Sequence, residues 1–219
     1  MNRVAFPVLS QIQDDNDRLL RVYEKYIQFA SFLIFPVLMI MCGCAKPLVL
    51  FLLTEKWLDC VPFMQIICFT LLTNCITTIN LNLLYVKGRS DLVLRLEIIK
   101  KSIAFVILFV SMFFSIKVMC YGQLLYALIA TYLNTHYTKK ILDYTFRRQI
   151  KSVAPYFFIS LIPLGEALFF SFFLSNSLVS LIVTVLVCPA TYWSLTKAFN
   201  LYAYREAFAL IKSKLKAVF

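Results

Sequence analysis

One histidine and four glycines stand in a chain of 219 residues, and only 15% of its side chains are charged. Each shortage removes a class of protein. A lone histidine, His136, gives no His-based metal cluster, and no Ser/His/Asp set or paired catalytic carboxylates accompany it. Four glycines leave no Gly-rich loop to cradle phosphate, and no Walker sequence is present. No enzyme activity, no cofactor and no metal are therefore expected. A water-soluble domain carries nearer a quarter of charged residues, so the low charge excludes that class as well. There is also no Gly/Ser linker, no low-complexity tract and no basic n-region followed by a short apolar run, so no cleavable signal is read.

What is present is apolar: 61% of residues are hydrophobic and the mean hydropathy is +0.80. The hydrophobic residues gather into six runs, near Tyr26–Leu53, Pro62–Val86, Ile98–Ile116, Val118–His136, Pro155–Leu174 and Ser177–Leu195. Each supplies the ~20 residues needed to cross a ~30 Å hydrocarbon layer. The expected fold is an all-α integral membrane protein of about six transmembrane helices. Of the 22 Lys and Arg residues, 19 fall on one side of this pattern, and only Lys46, Lys56 and Lys117 fall on the other. The positive-inside rule then sets both termini in the cytoplasm. The net charge of +11 is no sign of nucleic acid, because the basic residues sit at span ends and short loops, where anionic membrane lipid attracts them.

Seven cysteines are present, six of them in or beside spans (Cys42, Cys44, Cys68, Cys75, Cys120, Cys188) and Cys60 in the first external loop. They read as small packing residues. At the N-terminus, Val4–Leu9 reads as the last turn of an earlier apolar helix, as though something preceded it. Asp14, Asp15 and Asp17 then open an amphipathic helix feeding the first span.

The second span is polar in its lower half, with Thr70, Thr73, Asn74, Thr77, Thr78, Asn80 and Asn82. Gly88 supplies a tight turn after it, with Ser90 or Asp91 as the cap of the next helix. The third and fourth spans form a hairpin around Lys117. Thr138–Ser152 reads as a longer basic connection lying along the cytoplasmic interface. The last two spans turn at Ser175–Asn176–Ser177, and a basic amphipathic tail follows from Lys197.

Several short motifs occur together in order: Phe6-Pro7-Val8-Leu9-Ser10 with Asp15 and Arg18-Leu19, Phe35-Pro36, Ala45-x-Pro47, Leu53-Thr54-Glu55-Lys56-Trp57, and Gly88-Arg89-Ser90-Asp91-Leu92. In these the chain resembles the O-antigen/polysaccharide flippase family, of the teichuronic- or colanic-acid exporter type within the multidrug/oligosaccharidyl-lipid/polysaccharide superfamily. The resemblance covers residues 1 to about 155; the last two spans match in hydropathy and position. It implies a fold of two six-helix lobes and two extra C-terminal helices that flips undecaprenyl-linked oligosaccharide across the bacterial inner membrane. Residues 1–153 would be the partial second lobe, with four spans, and 154–219 the two accessory spans and basic tail. The first lobe would come from a separate chain, or the chain is a truncated form. Ser115, where glycine is common, and Glu166, in a normally apolar span, depart from the pattern.

The candidate cavity residues are Asn74 and Asn82, eight apart on one face, with helix–helix glue as the other reading; Asn80, turned away, leans to glue. Arg95, Lys100 and Lys101, at a helix entrance, could hold the phosphates of a lipid-linked oligosaccharide; plain topology-setting charge is the other reading. Glu55, Lys56, Trp57, Gly88, Arg89 and Asp91 read as structural motif residues. Glu166 is the one carboxylate inside a span and a candidate ion-coupling site, or else a pairing group. Two further functions stay open: a non-transporting scaffold subunit of a polysaccharide synthesis complex, docking through Arg147, Arg148 and Lys151, and a solute or ion transporter centred on Glu166.

Overall fold

The structure, a computed structural model, describes residues 9–142, 144–174 and 176–206. The expectations for Val4–Val8 and for the tail lysines Lys212, Lys214 and Lys216 lie outside these residues, as do Ser175 and the side chain of Lys140. The described residues form helices and no strand: α1 (Asn16–Gly43), α2 (Ala45–Leu53), a 3-10 turn (Glu55–Cys60), α3 (Val61–Val86), α4 (Ser90–Met112), α5 (Ile116–Leu142), α6 (Phe146–Phe173) and α7 (Ser177–Ala198).

Local chemistry explains most of the boundaries. Asp15 caps α1, its Oδ1 accepting from the Arg18 backbone N–H at 2.9 Å. At the end of α3, Gly88 takes φ +65°; its N–H bonds to the Tyr85 carbonyl and the Arg89 N–H to the Leu84 carbonyl. That pairing is a Schellman stop, and it needs a residue tolerant of left-handed backbone. The expected cap of α4 is different: Arg89 holds the cap position without a side-chain bond, and Asp91 is drawn to the Arg89 guanidinium instead, 3.1 Å away. Ser115 begins α5, its hydroxyl accepting from the Val118 N–H at 3.3 Å, and Asn176 caps α7 through the Leu178 N–H at 3.0 Å. Ser115 thus supplies a cap acceptor that a glycine at this place could not.

Five helical stretches are long and apolar enough to cross a membrane: Asn16–Gly43, Glu55–Val86, Ile116–Lys139, Phe146–Phe173 and Ser177–Ala198. The expected span Ile98–Ile116 is not among them. α4 stops at Met112, Ile116 already belongs to α5, and Arg95, Glu97, Lys100 and Lys101 occupy the first half of α4. Its uncharged run from Ser102 to Met112 is only about 16 Å long at 1.5 Å per residue. The basic segment Thr138–Ser152 belongs mostly to the ends of two helices. α5 continues to Leu142 and α6 starts at Phe146, so nearly all of that segment is helix. Thr138, buried, bonds the Asn134 carbonyl one turn back.

The chain forms two compact units, one of residues Met1–Ile27 and Pro62–Val153, the other of Gln28–Val61 and Ala154–Phe219. In the first, Leu84, Val93 and Leu96 form a buried core, with Leu81, Leu133, Tyr137 and Ile141 packed on it. α4 and α5 approach closely at Gly122, where an added Cβ would lie 3.0 Å from Ile107 Cγ2. In the second unit Phe32 meets the rings of Tyr156, Tyr192 and Trp193 at 5.5–6.3 Å. Gly43 of α1 lies against α6 so tightly that a Cβ would come within 2.5 Å of Ala167 Cβ. Such small-residue contacts are how helices approach in lipid, where apolar burial gives little drive. The many exposed Phe, Leu, Ile and Val side chains of α4, α6 and α7 then face hydrocarbon.

Candidate functional site

The polar residues of α3 separate into two groups. Thr77 bonds the hydroxyl of Thr131 on α5 at 3.0 Å. Asn80, fully buried, is the centre of a network that draws on four helices of the first unit. Its Nδ2 donates to Thr135 Oγ1 at 3.1 Å, and its Oδ1 accepts from Gln149 Nε2 at 2.8 Å and from the Tyr23 hydroxyl. The Thr135 hydroxyl donates in turn to Gln149 Oε1. Asn80 therefore acts as the glue expected of it. Tyr23, Thr135 and Gln149 were not singled out from the sequence. The stripe Thr131, Thr135 and Thr138 at helical spacing on α5 carried a signal, whereas Gln149 was hidden in the basic run Arg147-Arg148-Gln149-Ile150-Lys151.

Below the network, the Tyr23 ring meets Tyr144 edge-on at 5.3 Å, and the Tyr144 hydroxyl bonds Ser152 at 3.4 Å. Burial pushes the Tyr144 phenol up to about 12, despite the Ser152 bond and the nearby Arg148 charge. Arg148 pairs with Glu24 at 2.5 Å and stands 5.8 Å over the Tyr144 ring. All three basic residues read as a docking set are exposed, and Arg148 is in addition paired with Glu24.

The two candidate cavity amides do not share one open surface. Asn74 is half-buried, next to exposed Thr78, whose hydroxyl bonds the Asn74 carbonyl at 2.9 Å. Asn82 is buried and has interactions of its own. The three candidate phosphate-holding cations also diverge. Arg95 and Lys101 are exposed, whereas Lys100 is buried and its ammonium pairs with Glu97 one turn back. The Arg89–Asp91 pair is solvent-facing; the guanidinium holds the Asp91 carboxyl below its usual range and is itself raised by that bond. Glu55, Lys56 and Trp57 are exposed on the 3-10 turn that follows Thr54, a residue at φ 79°. Lys87, beside the Gly88 turn, binds the Gln13 carbonyl and Asn16 Oδ1 at 2.6 Å, tying the start of α1 to the end of α3.

Glu166 lies in the second unit, half-buried on α6. Thr191 Oγ1 of α7 is 2.7 Å from its Oε2, and the Cys188 thiol bonds the same carboxyl group. All seven cysteines are free thiols. Between α4 and α5 a groove of about 420 Å³, lined by Val106, Ile107, Val110, Phe114, Val118 and Leu125 together with Ser111 and Tyr121, is almost wholly apolar.

Residues 1–62 match the sequence pattern of a family described as "Polysaccharide biosynthesis protein". The chain is 34% identical over 111 residues to an "Uncharacterized membrane protein in cps region" of Klebsiella pneumoniae, covering 51% of this chain and 23% of that protein. It is 27% identical over 100 residues to the "Lipopolysaccharide biosynthesis protein WzxC" of Escherichia coli (strain K12), covering 46% of this chain and 20% of that one. The matched stretch is thus less than a quarter of each relative's length. No solved structure shows significant similarity. These matches bear out the resemblance read from the motifs, to polysaccharide-biosynthesis membrane proteins of the O-antigen flippase type.

Proposed function

We propose that this chain is part of an exporter that moves polyprenyl-linked oligosaccharide across the bacterial inner membrane, as a portion of its second lobe and accessory helices. The observation that carries the reading is the similarity to a lipopolysaccharide biosynthesis protein over 100 residues. Features of the fold support it. α3 presents Asn74 and Thr78 at its surface amid apolar neighbours, a place where sugar hydroxyls can find partners in a membrane. Arg95 and Lys101, exposed at the charged end of α4, suit the phosphates of a lipid-linked donor. The buried Asn80 network and the Lys100–Glu97 pair hold these elements in place and are not free to bind cargo. In this reading a separate chain supplies the first lobe, and rocking of the two lobes alternates access.

Both termini lie in the cytoplasm in this proposal, which requires α4 to cross. Its 23 residues are about 34 Å long, sufficient for the bilayer if Arg95 and Lys101 snorkel to the cytoplasmic surface while Lys100 stays paired with Glu97. Two experiments test the reading. Single cysteines beside Lys56 or Lys117 should react with an impermeant reagent added outside intact cells, and one beside Lys139 should not. Expression of the chain together with a first-lobe polypeptide should restore surface polysaccharide to a flippase-deficient strain, and Asn74→Leu with Thr78→Val should lower that recovery. Outside labelling beside Lys139, or no recovery with any first lobe, would sink the proposal.

A further inference from the structure

We propose that Glu166 is a proton-binding site within the membrane, with the Thr191 hydroxyl as the switch that follows its charge. This inference stands apart from the export reading and uses residues of the second unit alone.

The argument begins with hydrogen counting. Thr191 Oγ1 lies 2.7 Å from Glu166 Oε2 and 2.9 Å from the Cys188 carbonyl oxygen. A hydroxyl has one hydrogen, and both neighbours accept when Glu166 is ionised. When Glu166 is protonated the conflict vanishes: its O–H donates to Thr191 Oγ1, and Thr191 donates to the Cys188 carbonyl. When the proton leaves, one rotation of the hydroxyl turns the Thr191 hydrogen to the carboxylate, and the Cys188 thiol supplies a second donor. The Cys188 carbonyl keeps the ordinary helical bond available to it. The same atoms thus accommodate either charge state without moving a helix.

The surroundings contain no fixed counter-charge. Among the described residues no Lys, Arg or His comes within ion-pair distance of Glu166. The titratable groups that face the site are Cys188 on α7 and Cys44 at the α1–α2 junction, which lies close to Cys188. Lys46, two residues beyond Cys44, is exposed. A permanent carboxylate in such a place is costly, whereas one that takes up a proton is not. A permanently neutral group would not need two donors arranged around it.

A helix end and two prolines lie near these residues. α1 ends at Gly43, Pro163 lies three residues before Glu166, and Pro189 lies between Cys188 and Thr191. Each proline removes an N–H from its helix. Glu166 is also only half-buried, and Gly165 beside it has open space over its Cα.

The test uses the purified full-length chain in phosphatidylethanolamine/phosphatidylglycerol vesicles. Dicyclohexylcarbodiimide adds to protonated carboxyls in apolar surroundings, and intact mass with peptide mapping reads the adduct. One adduct on Glu166 is expected, strongest in the most acidic buffer used and falling as the pH rises. Glu166→Gln should lose the adduct. Thr191→Val, which removes the donor that favours the charged form, should carry labelling to more alkaline pH. Should Glu166→Gln fail to fold, the Thr191→Val and Cys188→Ala profiles still decide the matter. No adduct at any pH, or a Thr191→Val profile unchanged from the parent, would overturn the proposal. Suppression of labelling by sodium ions at constant pH would also overturn it, in favour of an alkali-cation site.

Discussion

The Tyr192 hydroxyl donates to the backbone carbonyl of Phe32 at 3.1 Å. Pro36, four residues after Phe32 in the middle of α1, has no N–H, so the helix cannot satisfy this carbonyl itself. A phenol from α7 replaces the missing donor. The proline is tolerated within one apolar helix because a second helix brings a polar tip to the right turn.

Tyr192→Phe should therefore orphan a buried carbonyl and lower stability by about 1–3 kcal/mol. Pro36→Ala restores the helical donor, so the double variant should regain most of that loss. Thermal unfolding of the four proteins in one detergent, followed by near-UV circular dichroism, gives the comparison. Additive losses in the double variant would show that the two residues are not linked in this way.

A second prediction contrasts two glycines. A Cβ at Gly43 would sit 2.5 Å from Ala167 Cβ and 3.0 Å from the Leu164 carbonyl oxygen, while one at Gly165 meets nothing within 4 Å. Gly43→Ala should destabilise by about 1–3 kcal/mol through overpacking. Gly165→Ala should be neutral or stabilising, because alanine is the better helix former. Adding Ala167→Gly to Gly43→Ala should recover part of the loss. Equal effects of the two single alanines on the melting temperature would contradict the packing described.

The third concerns the buried network. Asn80→Leu and Gln149→Leu each leave unpaired groups among Tyr23, Thr135 and the remaining amide. Each should cost about 1–2 kcal/mol, and the pair together little more than either alone. A double-mutant cycle on chemical unfolding measures that coupling. Strict additivity would mean the amides act independently.

The fourth is a pH dependence. The Tyr144 phenol has its folded value raised to about 12, above the ordinary value near 10. In the unfolded chain the phenol ionises first, so the folded state loses ground as pH rises between those two values. The stabilisation is complete below about pH 10 and gone above about pH 12. Tyr144→Phe should flatten that part of the stability profile relative to the parent. A decline of the same steepness in both proteins would place its source elsewhere.

The transmembrane class, the second span and the last hairpin were legible because apolar runs of full length, turn residues and capping side chains agree with one another. α4 was not read correctly: the apolar run was carried across Phe113–Ser115, the short link where the chain reverses and Ser115 starts a new helix. Thr138–Ser152 was read as an interfacial segment because its lysines and arginines dominate the pattern. Thr138 and Gln149 are nevertheless buried there, each held by a polar partner that periodicity does not reveal. The same blindness applies to the site residues. Composition identified Asn80, Lys100 and Glu166 as unusual, but whether such a group is free, paired or networked depends on neighbours distant in sequence.

The short uncharged stretch of α4 has a consequence for the surrounding lipid. A bilayer closing around this helix finds about 16 Å of continuous hydrocarbon-compatible surface, roughly half the usual depth. If α4 crosses as proposed, the charges of Lys101 and Arg95 must reach the headgroups by snorkelling or by local thinning of the bilayer beside them.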